Sequence, residues 1–117
     1  VKIKKYDVVY VNVNGESKGS VQTGARPAVI LQNDKGNFFS PTTIVAFITS
    51  KIKREDLPTH VILKGYDRFK ESMVLLEQIT TIDKKDIDGK IDELKAEDRM
   101  RVDAALLVSL GFIDTGN

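Results

Sequence analysis

Thr42-Thr43-Ile44-Val45-Ala46-Phe47-Ile48-Thr49 is almost continuously apolar and rich in β-branched residues. Side chains alternate between the two faces of a strand, so apolar residues at both parities predict a strand buried on both sides. In a small barrel only one face looks inward. The other must meet a helix or a second subunit, which favours a dimer; a strand sealed on both sides within one chain is the alternative. This third strand makes the fold a β structure with little exposed sheet.

Upstream, Asp7 to Asn14 reads as a first strand, and a second runs from about Arg26 to Asn33, closed by a turn at Asp34-Lys35-Gly36-Asn37. The intervening Gly15 to Ala25 is a polar loop with three glycines and two serines. It is longer than the usual hairpin connection, as binding arms and lids tend to be. Downstream comes a charged connection, Lys51 to Pro58, whose proline biases Leu57 towards extended geometry. A fourth strand follows at Thr59–Lys64, then a short turn or helical segment at Asp67–Glu71. Ser72 to Ile82 gives a long strand broken near Gln78, and Ile87 to Leu94 a short one. From Ala96 the chain turns helical, with Val102, Ala105, Leu106, Ser109 and Leu110 on one stripe and Gly111 as its stop. No repeat or linker divides the chain, so residues 1–117 are expected to form one domain, mainly β with a C-terminal helix.

Composition narrows the function classes. At 117 residues, 41% hydrophobic and 30% charged, the chain reads as an ordinary soluble domain. Without cysteine it has neither disulfides nor thiolate chemistry, and with a single histidine a structural zinc site is not expected. No apolar run reaches membrane-spanning length and no signal-peptide core begins the chain, so a cytoplasmic protein without membrane association is expected. The net charge of +1 conceals a split: residues 1–60 carry nine Lys/Arg against five Asp/Glu, residues 61–117 nine against twelve. An electropositive half suits a polyanionic partner.

Arg26 stands where the flexible loop meets the rigid second strand. A guanidinium is permanently charged and offers a planar fork of donors that matches phosphate oxygens. His60 is the one side chain whose ordinary pKa lies near neutrality, which makes it a candidate base or base-reading group. Glu77 and Gln78 are neighbours in a strand and should face opposite ways unless the backbone bulges there. Lys51, Lys53 and Arg54 could steer phosphates or simply solvate a loop.

Six short words fall in a shared order: Gln32-Asn33-Asp34, Ser40-Pro41-Thr42, Ile48-Thr49-Ser50, Leu57-Pro58-Thr59-His60, Leu75-Leu76-Glu77-Gln78-Ile79 and Thr81-Ile82-Asp83. With Arg26-Pro27, they make the chain from Asp7 to Leu110 resemble the MazF/PemK family of toxin endoribonucleases. The resemblance implies an SH3-like small β-barrel with a C-terminal helix, working as a homodimer. It also implies sequence-specific cleavage of single-stranded mRNA without metal or cofactor, restrained by a cognate MazE-like antitoxin. Arg26 and Thr49 match the family's catalytic pair, and Ser20, Gln22, Asn33, Leu57, His60 and Gln78 are the expected RNA-binding residues.

Two departures stand out. Gly19-Ser20-Val21-Gln22 has Val21 where family members commonly carry glutamate, and Tyr6 replaces a glycine ahead of the first strand. A weakened nuclease acting mainly by binding is therefore one alternative. A CcdB-like inhibitor of DNA gyrase, which shares the fold, is another. If the 2′-hydroxyl attacks the neighbouring phosphate, Arg26 suits the stabilisation of charge on the phosphorane oxygens. It is poorly suited to proton transfer, being effectively never deprotonated. Thr49 can donate a hydroxyl hydrogen bond to the same phosphate, while His60, Asp34 and Glu77 are the candidate bases.

Overall fold

The computed structural model describes residues 2–13 and 25–115. Its strands are β1 (Asp7–Asn12), β2 (Ala25–Ile30), β3 (Thr42–Thr49), β4 (His60–Leu63), β5 (Ser72–Asp83) and β6 (Ile87–Glu93), with helices α1 (Asp34–Phe39) and α2 (Ala96–Ser109). They make one sheet in the order β4-β5-β3-β2-β1-β6, antiparallel at every pairing. β3 is thus an interior strand, as its apolar run predicts.

Both faces of β3 are buried, and a single chain suffices to bury them. Ala46 and Ile48 enter a cluster with Val8, Val29, Val61, Leu63, Val74, Leu76, Ile91 and the α2 residues Val102 and Ala105. On the opposite face Val45 joins Val9, Val11, Ala28, Ile30 and Ile87, with Phe47 and Ile82 packed against them. The first cluster unites β4 with β6, although these strands lie at opposite ends of the sheet order. The sheet must therefore curl until its edges share a core, a barrel closed by side chains rather than by a final ladder. Of the expected ways to cover β3, burial within one chain is the one seen: curling, with α2 across one face, does that work.

The curl has a visible origin in β5. Ala46 pairs with Ile79 and Ile48 with Val74, so four β5 residues, Leu75 to Gln78, stand against Phe47 alone. Extra residues on one strand bend it and sharpen its twist. This is the break expected near Gln78.

Between β2 and β3 the structure differs from the expected strand and turn. β2 stops at Ile30, and Asp34–Phe39 is a helix rather than a simple turn. The cause is local capping chemistry. The Asn33 side chain accepts from the Gly36 N–H at 2.8 Å, the usual way an asparagine satisfies a free donor at a helix start. Buried Asn37 donates to the Gln32 carbonyl at 2.9 Å and accepts from the Thr43 hydroxyl at 2.7 Å. The Asp67–Glu71 stretch is irregular. α2 ends as expected at Gly111, with φ of 82°. There Phe112 N–H returns to the Leu107 carbonyl and Gly111 N–H to that of Val108, the double bond of a Schellman close. No described helix is long and apolar enough to cross a membrane.

Tyr6 has φ of 76°, a left-handed conformation that glycine adopts freely and tyrosine does not. Its side chain compensates. The hydroxyl donates to Asp103 of α2 at 2.7 Å, and the ring lies beneath the Lys5 and Arg99 cations. Burial, reinforced by the hydrogen bond to Asp103, pushes the phenol up to about 12. Tyr6→Phe should lower stability by about 1–2 kcal/mol at neutral pH, since a hydrogen bond to a charged group is lost. A phenol held protonated in the fold stabilises it fully below the ordinary value near 10, and that contribution fades as pH rises towards 12. Denaturant titrations of both forms should show the gap shrinking above pH 10; a gap that is constant to pH 12 would rule this account out.

Candidate active site

Arg26 is the second residue of β2, exposed, with its guanidinium 4.4 Å from the Phe47 ring centroid. β2 and β3 step one for one through Ile30↔Val45, Val29↔Ala46 and Ala28↔Phe47. Pro27 has no N–H with which to extend the ladder. Carried two residues further, the same count sets Arg26 across from Thr49. Residues two apart in a strand share a face, so Arg26, Phe47 and Thr49 belong to one side of the sheet. Arg26 and Phe47 also line a groove of about 410 Å³ with Thr80, Thr81, Asp83 and Asp86.

Thr49 closes β3 half-buried, and its Oγ1 accepts from the Lys51 N–H at 3.0 Å. Because that backbone donor occupies the oxygen as an acceptor, the hydroxyl proton remains available for another oxygen. Thr49 pairs with Met73, which pairs with Ile62, so His60 falls on the same sheet face, two residues along β4. Register thus gathers Arg26, Thr49 and His60 on one sheet face from three strands, with the His60 side chain nearly buried there.

The His60 ring is fixed from both ends. Nδ1 lies 2.8 Å from the Arg54 carbonyl and Nε2 3.0 Å from a Glu77 carboxylate oxygen. A carbonyl only accepts, so the ring donates to it through Nδ1, and Nε2 faces the Glu77 carboxylate. Arg54 holds its carbonyl there through a left-handed backbone, φ 53°, and a side-chain pair with Asp56 at 3.1 Å. Leu57, half-buried, belongs to the same turn: its N–H also reaches the Arg54 carbonyl, and its own carbonyl accepts from His60 N–H. Glu77 and Gln78 are both exposed at the β5 break, where strand alternation is interrupted.

Burial pushes the Glu77 carboxyl up, but hydrogen bonds from His60, its own backbone and Thr59 outweigh this and hold it below the usual range. A depressed carboxylate stabilises the fold above its ordinary pKa, and the contribution disappears as pH falls through the lowered value. Glu77→Gln should therefore be less stable than wild type at pH 6–7, with the two melting curves converging below about pH 4. The effect is small and salt-screened, because the carboxylate is 41% exposed. Parallel melting temperatures across that range would contradict the pairing.

Asn33 stands apart. It caps α1 at the end of β2 remote from Arg26, and its side-chain oxygen is engaged there. Ser20, Val21 and Gln22 lie outside the described residues. Reading the sequence missed Phe47, taken as strand core, and the Thr80–Asp83 groove wall. Alternation alone pointed to the first: a residue two before Thr49 must share its face.

Residues 4–110 match the family model described as PemK-like, MazF-like toxin of type II toxin–antitoxin system. The chain is 46% identical over 114 residues to Endoribonuclease EndoA of Bacillus subtilis (strain 168), covering 96% of this chain and 97% of that protein. Among solved structures it is similar in fold to a mycobacterial endoribonuclease in complex with its cognate antitoxin, at TM-score 0.81 and 19% identity, over 95% of this chain and 97% of that one. MazE–MazF (Form-II) from Deinococcus radiodurans matches at TM-score 0.77 and 21% identity, again over 95% and 97%. This chain belongs to the PemK-like, MazF-like toxins of type II toxin–antitoxin systems.

Proposed function

We propose that this toxin is an endoribonuclease that cuts single-stranded mRNA at a short sequence motif, without metal, by attack of the 2′-hydroxyl on the adjacent phosphorus. The P–O5′ bond breaks, leaving a 2′,3′-cyclic phosphate and a 5′-hydroxyl, so no water enters the first step. The observation that carries this reading is the register that brings Arg26, Thr49 and His60 to one sheet face, in a chain 46% identical to an endoribonuclease.

Each group has a task its chemistry allows. Arg26 stabilises charge on the non-bridging phosphorane oxygens, and the Thr49 hydroxyl donates to the same phosphate. Gln78 and Leu57, with Ser20 and Gln22 of the preceding loop, contact the bases flanking the cut. Unpaired bases can be splayed onto such side chains and read at their edges. His60, its side chain only 6% exposed and engaged at both ring nitrogens, braces Glu77 beside Gln78 rather than reading a base. The toxin acts in the cytoplasm as a homodimer of single-domain chains, and a MazE-like antitoxin restrains it. Incubating a defined transcript with wild type, Arg26→Ala and Thr49→Ala in EDTA tests the reading. Wild-type cleavage that the chelator abolishes would refute it.

A further inference from the structure

Among the described residues Arg26 makes no ion pair or side-chain hydrogen bond. What its guanidinium meets is the Phe47 ring, at 4.4 Å from the centroid. Asp83 and Asp86 line the same groove, yet neither pairs with it. The distinction matters chemically. A carboxylate would hold the arginine by occupying the donors a phosphate needs. An aromatic face attracts the cation through its quadrupole and leaves those donors for an incoming anion.

Phe47 is itself well fixed. It pairs with Ala28, packs half-buried against the cluster of Val9, Val11 and Val45, and stands alone against the four-residue break of β5 that carries Glu77 and Gln78. Resting on the reading of Arg26 as the transition-state donor, we infer that Phe47 is a positioning residue, its ring the platform that orients the Arg26 fork beside Thr49 before RNA arrives. The ring does not touch the reacting atoms. It lowers the number of arginine rotamers that must be frozen in the transition state, so its removal should fall on kcat rather than KM.

The test compares Phe47→Leu and Phe47→Met, which keep apolar bulk without a π face, with Phe47→Tyr, which keeps the face, and with Arg26→Ala. Cleavage of one defined transcript that the wild-type protein cuts is followed under saturating and subsaturating conditions. Both aliphatic variants should lose about 2- to 5-fold in kcat, the range expected of a cation–π contact made by an exposed arginine. KM should stay within about twofold, and Phe47→Tyr should retain most of the rate. Relaxation of the Arg26 Nε–Hε signal should report a rigid side chain in wild type and Phe47→Tyr, and a mobile one in the aliphatic variants. Wild-type kcat in both aliphatic variants beside an inactive Arg26→Ala overturns the platform and leaves the nuclease reading intact. An equal fall in the tyrosine and aliphatic variants overturns it as well, since packing alone would explain that pattern. Full cleavage by Arg26→Ala removes the underlying reading and the platform with it.

Discussion

Arg26→Ala is expected to slow RNA cleavage on the order of a hundred- to a thousand-fold, corresponding to about 3–4 kcal/mol of lost transition-state stabilisation. The argument rests on where the charge develops. As the 2′-oxygen attacks, negative charge builds on the non-bridging oxygens, and a donor fixed beforehand interacts more strongly there than water that must reorient. Arg26 is placed for this by β2, at a strand start whose next residues are sealed in the core. Being exposed, with the Phe47 ring beside its guanidinium, it contributes modestly to folding, so the variant should melt within about 1 kcal/mol of wild type. The rate loss can then be assigned to chemistry. Arg26→Lys separates charge from shape: a lysine keeps the charge but cannot engage two phosphate oxygens through a planar fork, so an intermediate rate is expected. Single-turnover rates with saturating toxin give the comparison directly. An alanine variant that cleaves as fast as wild type would assign the charge stabilisation to some other group.

The strand pattern of this chain was readable because its core residues leave few options. β3 begins and ends where its apolar run does, and the β5 break appears where adjacent Glu77 and Gln78 interrupt an apolar strand. What escaped reading depended on specific polar partners. Asn33-Asp34-Lys35-Gly36 has the composition of a turn, and it becomes helical because the asparagine side chain caps Gly36 while Asn37 is buried against Gln32 and Thr43. In the sequence Tyr6 stands only as a replacement for a glycine ahead of β1, whereas its hydroxyl reaches Asp103, 97 residues away. Such a contact has no local signature. For the site, Arg26 and Thr49 were found through the words around them, and register explains their proximity. Phe47 carried the same information in its spacing from Thr49 but was hidden by being apolar in an apolar strand.

The largest structural effect should come from Leu76→Ala, because Leu76 holds the β5 break in place. Its side chain is fully buried in the cluster that joins β4, β6 and α2. Its N–H donates to the Thr59 carbonyl at 2.9 Å, and its carbonyl accepts the Ser109 hydroxyl at 2.7 Å. One residue thus ties the bend to the turn ahead of His60 and to the end of α2. Truncating a buried leucine removes its transfer free energy and leaves a cavity, a loss of about 2–5 kcal/mol. For a domain of this size the melting temperature should fall by about 10 °C or more. The functional consequence follows from position, since Glu77 and Gln78 are the next residues after the anchor. At a temperature where the variant remains folded, KM for the transcript should rise and cleavage should spread to neighbouring sequences. The residual rate should still depend on Arg26, whose own strand is untouched. A variant that melts within 2–3 °C of wild type would show that the bend is carried by the backbone alone, and unchanged cleavage sites in a destabilised variant would detach motif selection from the β5 break.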